Sequence, residues 1–271
     1  MIKLSEEFRN FKNNIEEIEV LIKSMRYLEY AKVDFEKASK DKRIGKNPEE
    51  FFKNKFKKLF DVILKSEIVL LNSYFEAYCK NKFVKILNKN PMLAIDFLRK
   101  KSIKPKLDFI YLGKYNFNLK DKMGDLFIDR QIVNFQDPQN YEQIFSDFFN
   151  ITFFKNDEQR EDFKKFSAIR NCIIHSANIP DTRYKKIIKV DKSPTELLSR
   201  YIIEIQSNQE FKRFYPTDEE YYSDEYLNKI YNELQTGNMP ETSFKIYSDV
   251  LLELICDIAE NIEKQLQSKF S

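Results

Sequence analysis

The sequence predicts an all-α protein, a helical bundle framed by long helices at both ends of the chain. Three observations carry that expectation. Apolar residues recur at steps of three and four over long stretches. Four glycines and eight prolines among 271 residues leave little material for the turns of a many-stranded sheet. Hydrophobic residues at 42% and charged residues at 33% describe a sizeable core beneath a heavily charged surface, not a disordered chain.

Leu4, Phe8, Phe11, Ile15, Ile18, Ile22, Met25 and Leu28 form one stripe, so residues 4–38 read as a long amphipathic helix. Lys40 to Pro48 is a polar break containing Gly45. Phe52, Phe56, Leu59, Phe60, Ile63, Leu64, Leu70, Leu71 and Tyr74 carry a second long helix to about residue 88, where Asn90-Pro91 ends it. Between about 102 and 140, Pro105, Gly113, Gly124 and Pro138 break the pattern into short helices and loops. Helical spacing resumes over 141–150 and again from 157. Residues 176–193 read as a loop, and 194–206 as a helix with Pro194 in its first turn. Residues 218–234 form another helix, with Gly237 as its stop. A last helix over 240–267 carries Tyr247, Leu251, Leu254, Ile258, Ile262 and Leu266 along one side. With no internal repeat and no linker, one domain spanning 1–271 is the simplest organisation.

A net charge of +3 and an isoelectric point near 8.4 are too mild to mark a nucleic-acid binder by electrostatics alone. Local basic runs remain at Lys53–Lys58, Arg99–Lys106 and Arg183–Lys192, each of which reads first as a solvated face. Cys79, Cys172 and Cys256 are odd in number and widely spaced, which fits a reducing cytosol and a cytoplasmic protein. No run approaches the ~20 apolar residues of a membrane span. One histidine and three scattered cysteines supply no visible zinc site; the many Asp and Glu leave a carboxylate-only Mg²⁺ site formally open, but neither metal nor cofactor is expected. Asp218-Glu219-Glu220 reads as charge bias at a helix N-terminus.

The chemistry concentrates in Arg170-Asn171-Cys172-Ile173-Ile174-His175. His175 is the only histidine in the chain, and so the only side chain that ordinarily exchanges protons near neutral pH. Arg170 is a permanent cation shaped to grip a phosphate. On a helix over 158–175, Phe163, Phe166, Ile169 and Ile173 fall within roughly 120° and face inward. His175 falls nearly opposite, beside Asn171 and near Lys164 and Ser167, while Arg170 sits at the edge of the apolar sector. Arg170 and His175 are thus about 140° apart on a regular helix, too far to meet one phosphate without help. On the second long helix Glu76 shares a line with Val69, Asn72 and Phe83, a mixed face suited to a dimer seam or site wall; a solvated surface glutamate is the plainer reading. Tyr78, Tyr184 and Tyr201 offer rings for stacking on bases, but core packing accounts for any one of them more simply.

The segment Phe163 to His175, FKKFSAIRNCIIH, resembles the Arg-x4–6-His signature of HEPN domains in the form where asparagine follows the arginine. Ile63 to Phe83 resembles the preceding core helix of that family, and Asp181 and Tyr184 lie in a loop similar to that of HEPN-like nucleases of bacterial defence. The resemblance spans about residues 50–210, with the helices 4–38 and 240–267 packed on that core. It implies a helical bundle of HEPN type that forms a homodimer with a composite active site, two motifs facing one cleft. It also implies a metal-independent endoribonuclease acting on RNA. Arg170 and His175 are then the catalytic pair, with Asn171 and Glu76 in support. The 2′-hydroxyl attacks the neighbouring phosphate, His175 exchanges the protons, and Arg170 stabilises the developing charge. By analogy the role is that of a toxin or abortive-infection effector, restrained by an antitoxin or other regulatory partner. The alternatives are a HEPN-like module that binds nucleotide, RNA or a partner without cutting, and a purely structural helical protein.

Overall fold

The computed structural model describes residues 5–39, 48–103, 109–175 and 243–270. Among these, every regular element is a helix: α1 (Glu6–Ser39), α2 (Pro48–Lys89), α3 (Pro91–Lys100), α4 (Phe109–Lys114), α5 (Met123–Asp129), α6 (Tyr141–Phe149), α7 (Asp157–His175) and α8 (Ser243–Phe270), with a 3-10 turn at Pro138–Asn140 before α6. The fold is all-α. The long helices expected at each end are α1 and α8. The loop expected over 176–193 and the helices expected over 194–206 and 218–234 lie outside the described residues. One helix went unforeseen. Asn90-Pro91 does end α2, but Pro91 also opens α3, because proline needs no amide partner in a first turn.

The chain divides into two compact units. The first comprises Met1–Asn14, Ser73–Arg160 and Ile255–Ser271; the second comprises Ile15–Asn72 and Glu161–Leu254.

The first unit is built around aromatic rings. On α6, Tyr141, Ile144, Phe145, Phe148 and Phe149 are all buried, the inward stripe their spacing predicts. Phe97 of α3 stacks on Phe148 with centroids 4.0 Å apart, and Phe83 of α2 meets Phe148 edge-on at 4.9 Å. Tyr78 belongs to this core as well, its hydroxyl donating to the Ala259 carbonyl at 3.2 Å.

A buried polar node ties three helices together there. Glu263 of α8 accepts from Lys82 Nζ at 2.6 Å, and both side chains are almost wholly enclosed. The Ser5 amide donates to its Oε1 at 3.0 Å, Gln267 Nε2 to the same oxygen at 2.7 Å, and the Tyr78 hydroxyl to Oε2 at 3.3 Å. Burial by itself pushes the Glu263 carboxyl up; Lys82 and the Ser5 contacts outweigh it and hold the group below the usual carboxylate range. The same carboxylate, after burial, helps to raise the Tyr78 phenol.

A second junction joins α2 to α5. Asn88 Oδ1 accepts from the Gly124 amide at 2.6 Å, and Asn88 Nδ2 donates to Asp125 Oδ2 at 2.9 Å, so an α2 side chain caps α5. Gly124 lies so close to α2 that a Cβ there would stand 2.5 Å from the Val84 carbonyl oxygen. The sequence marks Gly124 only as a break; the structure shows a contact that no side chain fits.

With glycine scarce, helix stops rely on other residues. Ser102, Asn116, Gln131 and Asn150 take left-handed conformations after α3, α4, α5 and α6, with φ of 53°, 50°, 52° and 51°. After α3, Ile103 N bonds Leu98 O at 2.9 Å and Ser102 N bonds Arg99 O at 3.1 Å, a Schellman stop made without glycine.

The second unit buries Ile15 and Ile18 of α1, Ile68 and Leu71 of α2, Phe163, Phe166 and Ile169 of α7, and Leu251 and Leu254 of α8. It also buries the polar side chains of Glu67, Asn72, Asp162 and Ser167.

Candidate active site

The start of α7 is fixed by its own sequence. Asn156 Oδ1 accepts from the Gln159 amide at 2.8 Å, and Gln159 Oε1 accepts from the Lys155 amide at 2.9 Å, a reciprocal cap close to the capping-box pattern. Asp157 and Glu158 place negative charge in the first turn, where the helix dipole favours it. In the first unit, Arg160 grips Glu142 with Nε at 3.1 and 3.0 Å from its two oxygens and Nη2 at 2.8 Å from Oε1.

Farther along, α7 departs from a simple two-faced helix. Phe163, Phe166 and Ile169 are buried as their spacing predicts, and Ile173 is half-buried. Ser167, assigned by helical angle to the outward side with His175, is buried too, as is Ala168. Phe166 through Ile169 therefore form a run of buried residues slightly longer than one turn, enclosing the helix on every side. Ser167 is accommodated because its hydroxyl donates back to the Phe163 carbonyl at 2.9 Å. Outward character resumes at Asn171, half-buried, and Ile174, exposed.

Arg170 follows directly on this enclosed turn. Its Nη1 donates to Asn171 Oδ1 at 2.9 Å, while its Nε is buried without a hydrogen-bond partner. The other α7 cations each meet a carboxylate three residues earlier: Arg160 with Asp157, Lys164 with Glu161 at 2.5 Å, and Lys165 with Asp162 at 3.5 Å. Three residues before Arg170 stands Ser167. Among the described residues Arg170 meets no carboxylate. A guanidinium with a buried, unused donor and no counter-charge is suited to an incoming anion.

The structure thus brings Arg170 and Asn171 together, in a way the sequence did not specify. Asn171, expected in support of the catalytic pair, accepts from the arginine through its side-chain carbonyl oxygen. His175 is the last residue of α7, on the same continuous helix and five residues beyond Arg170, an axial rise of about 7.5 Å. Its side chain lies outside the described ones, as does that of Cys172 and the loop holding Asp181 and Tyr184.

Glu76 belongs to the first unit and is half-buried on α2. The line it shares with Asn72 and Phe83 is not an outer seam. Phe83 is fully enclosed against Phe135, Phe148 and Phe149, and Asn72 is only 1% exposed. This is an inward face, and Glu76 sits on it beside Cys79, whose thiol is raised first by burial and then by the Glu76 charge. Cys79 is a core residue, wholly enclosed.

Asn72, placed by spacing on the same line as Glu76, is wholly enclosed. Both polar atoms of its buried amide lack a hydrogen-bond partner, and like Arg170 it belongs to the second unit. Among the described residues no group of three or more His, Cys, Asp or Glu side chains converges as a metal site requires, and no helix is long and apolar enough to cross a membrane. Compared with known proteins, the chain matches no family model, no curated protein and no solved structure.

Proposed function

We propose that this protein is a metal-independent endoribonuclease of HEPN type, with Arg170 and His175 as its catalytic pair. The observation that carries the reading is Arg170 itself: it stands on one helix with the sole histidine, has no carboxylate among the described residues, and keeps a buried donor unused. Asn171 supports it by fixing one arm of the guanidinium, which lowers the entropy lost when a phosphate is gripped.

RNA carries its own nucleophile beside the scissile phosphate. Neutral His175 takes the proton of the 2′-hydroxyl, and an imidazolium returns one to the departing 5′-oxygen, each transfer contributing roughly 10²–10⁴ in rate. Arg170 bonds the nonbridging oxygens as negative charge builds on them. The products are a 2′,3′-cyclic phosphate and a 5′-hydroxyl, and DNA survives for want of the 2′-hydroxyl. Because Arg170 and His175 diverge by about 140° around a regular helix, the working site is composite, two copies of α7 gathering two arginines and two histidines about one strand. In the cell such an activity acts as a toxin or abortive-infection effector held in check by an antitoxin or regulatory protein.

The test is expression in bacteria of the parent chain and of His175→Ala, followed by growth and total-RNA integrity. Growth arrest with RNA decay in the parent alone, and cleavage of purified RNA that persists in chelator, is the expected result. RNA decay that continues in His175→Ala overturns the assignment.

A further inference from the structure

The stop that ends α4 leaves Phe117 unexplained. Phe117 N donates to the Leu112 carbonyl at 2.8 Å and Asn116 N to the Gly113 carbonyl at 2.9 Å, with Asn116 supplying the one left-handed residue this stop requires. Yet Phe117 is left-handed as well, with φ of 58°. In such a stop an apolar residue at this place ordinarily folds back onto the helix, here onto Leu112. Phe117 instead turns its ring outward, 65% exposed, more than any other large hydrophobic side chain among the described residues. A bulky residue in this backbone region is an outlier, and outliers of this kind gather in segments that bind.

Cations flank Phe117 along the chain. Lys114, Lys120 and Lys122 are exposed along the same segment, and Lys114 lies over the Tyr115 ring at 5.8 Å. Asp129 is already engaged, by Lys114 and by the Tyr115 hydroxyl at 2.5 Å, and Lys80 of α2 acts on the same carboxylate. Lys120 and Lys122 form no ion pair among the described residues, and Asp121 is the one carboxylate within 113–122. Positive charge is therefore left over around a displayed aromatic face.

We infer that the 114–122 turn is a contact for single-stranded RNA, Phe117 stacking on an unpaired base while Lys120 and Lys122 meet the neighbouring phosphates. This rests on the reading of the chain as one that acts on RNA, and names a point of contact outside the Arg170–His175 motif. A base offers a π-face whatever its identity, so the contact tolerates any sequence but needs an unstacked base. Lysine is depleted at the cores of protein interfaces, and one ring buries too little apolar surface to hold a membrane, so nucleic acid fits best.

The test uses the full chain and a short, labelled 2′-O-methyl RNA, which binds but lacks the attacking hydroxyl, so binding is read apart from cleavage. Phe117→Ala should weaken binding to the single strand by about tenfold, Phe117→Trp should preserve it, and neither should alter binding to the matching duplex. Replacing Lys120 and Lys122 by glutamine should make the affinity less dependent on salt. Unchanged single-strand affinity in Phe117→Ala overturns the inference, as does an equal loss on duplex, or a loss confined to anionic vesicles. If purified parent fails to cut RNA but Phe117 still governs binding, the ribonuclease reading falls and this one stands.

Discussion

Glu263 in the first unit and the Nε of Arg170 in the second are both polar groups taken out of water, and the protein treats them oppositely. Glu263 is met on both oxygens by Lys82, Tyr78, Ser5 and Gln267. Arg170 has one arm fixed by Asn171 and its Nε left with nothing to donate to. A satisfied node holds helices in place. A buried donor without an acceptor costs about 1–3 kcal/mol, a cost that an acceptor supplied from outside would recover. The first unit matches its buried carboxylate on both oxygens; in the second, among the described residues, the Nε of Arg170 goes unmatched.

That contrast breaks most decisively at Arg170. Arg170→Ala should cut RNA cleavage by at least about 10²-fold while helical content stays at the parent level, since the residue holds no ion pair among the described residues. Arg170→Lys should recover little, because an ammonium lacks the guanidinium fork. A large loss of stability in Arg170→Ala, read by urea midpoint, would place this residue with Glu263 as architecture.

The opposite behaviour is expected of the first unit. Lys82→Met leaves the Glu263 carboxylate buried without its cation and should cost about 3–5 kcal/mol. The pH dependence follows from the sign of the shift. Glu263 titrates below its unfolded value, so its contribution is complete above the ordinary glutamate pKa of about 4.3 and is lost as pH falls through the folded value. Urea midpoints at pH 7 and pH 3 should therefore differ less in Glu263→Gln than in the parent.

Smaller effects are expected at two other points of the first unit. Gly124→Ala forces a methyl against the α2 backbone and should destabilise by about 1–3 kcal/mol, visible as a lower melting temperature. Gln131→Gly relieves a left-handed glutamine after α5 and should add about 0.5–1 kcal/mol. No gain there would mean that the glutamine side chain makes good the strain.

How much of this was legible beforehand differs from residue to residue. Phe8, Phe11, Ile15 and Ile18 were assigned to one face of α1 by spacing alone and are all buried. The stripe Leu251, Leu254, Ile258, Ile262 and Leu266 of α8 is likewise buried. Spacing succeeds there because a helix that buries one face has no other way to place its apolar residues. It failed at Ser167, since a helix sunk on all sides gives no periodic signal and a hydroxyl that bonds its own backbone needs no outward face. It failed at Asn72 and Phe83 for a related reason, as the second line of α2 also faces inward there. Pro91 was read as a stop alone because one proline can both close a helix and open the next.

The sequence by itself determined the all-α class, the span of the long helices and the place of Arg170, Asn171 and His175 at the end of a shorter one, because helical period and capping act over a few neighbouring residues. Only the tertiary structure decided that Glu263 is fully matched, that Gly124 admits no side chain, that Phe117 faces water and that Arg170 keeps a buried donor unused. Those outcomes depend on which atoms distant segments bring within a few ångströms, and local spacing carries no record of that.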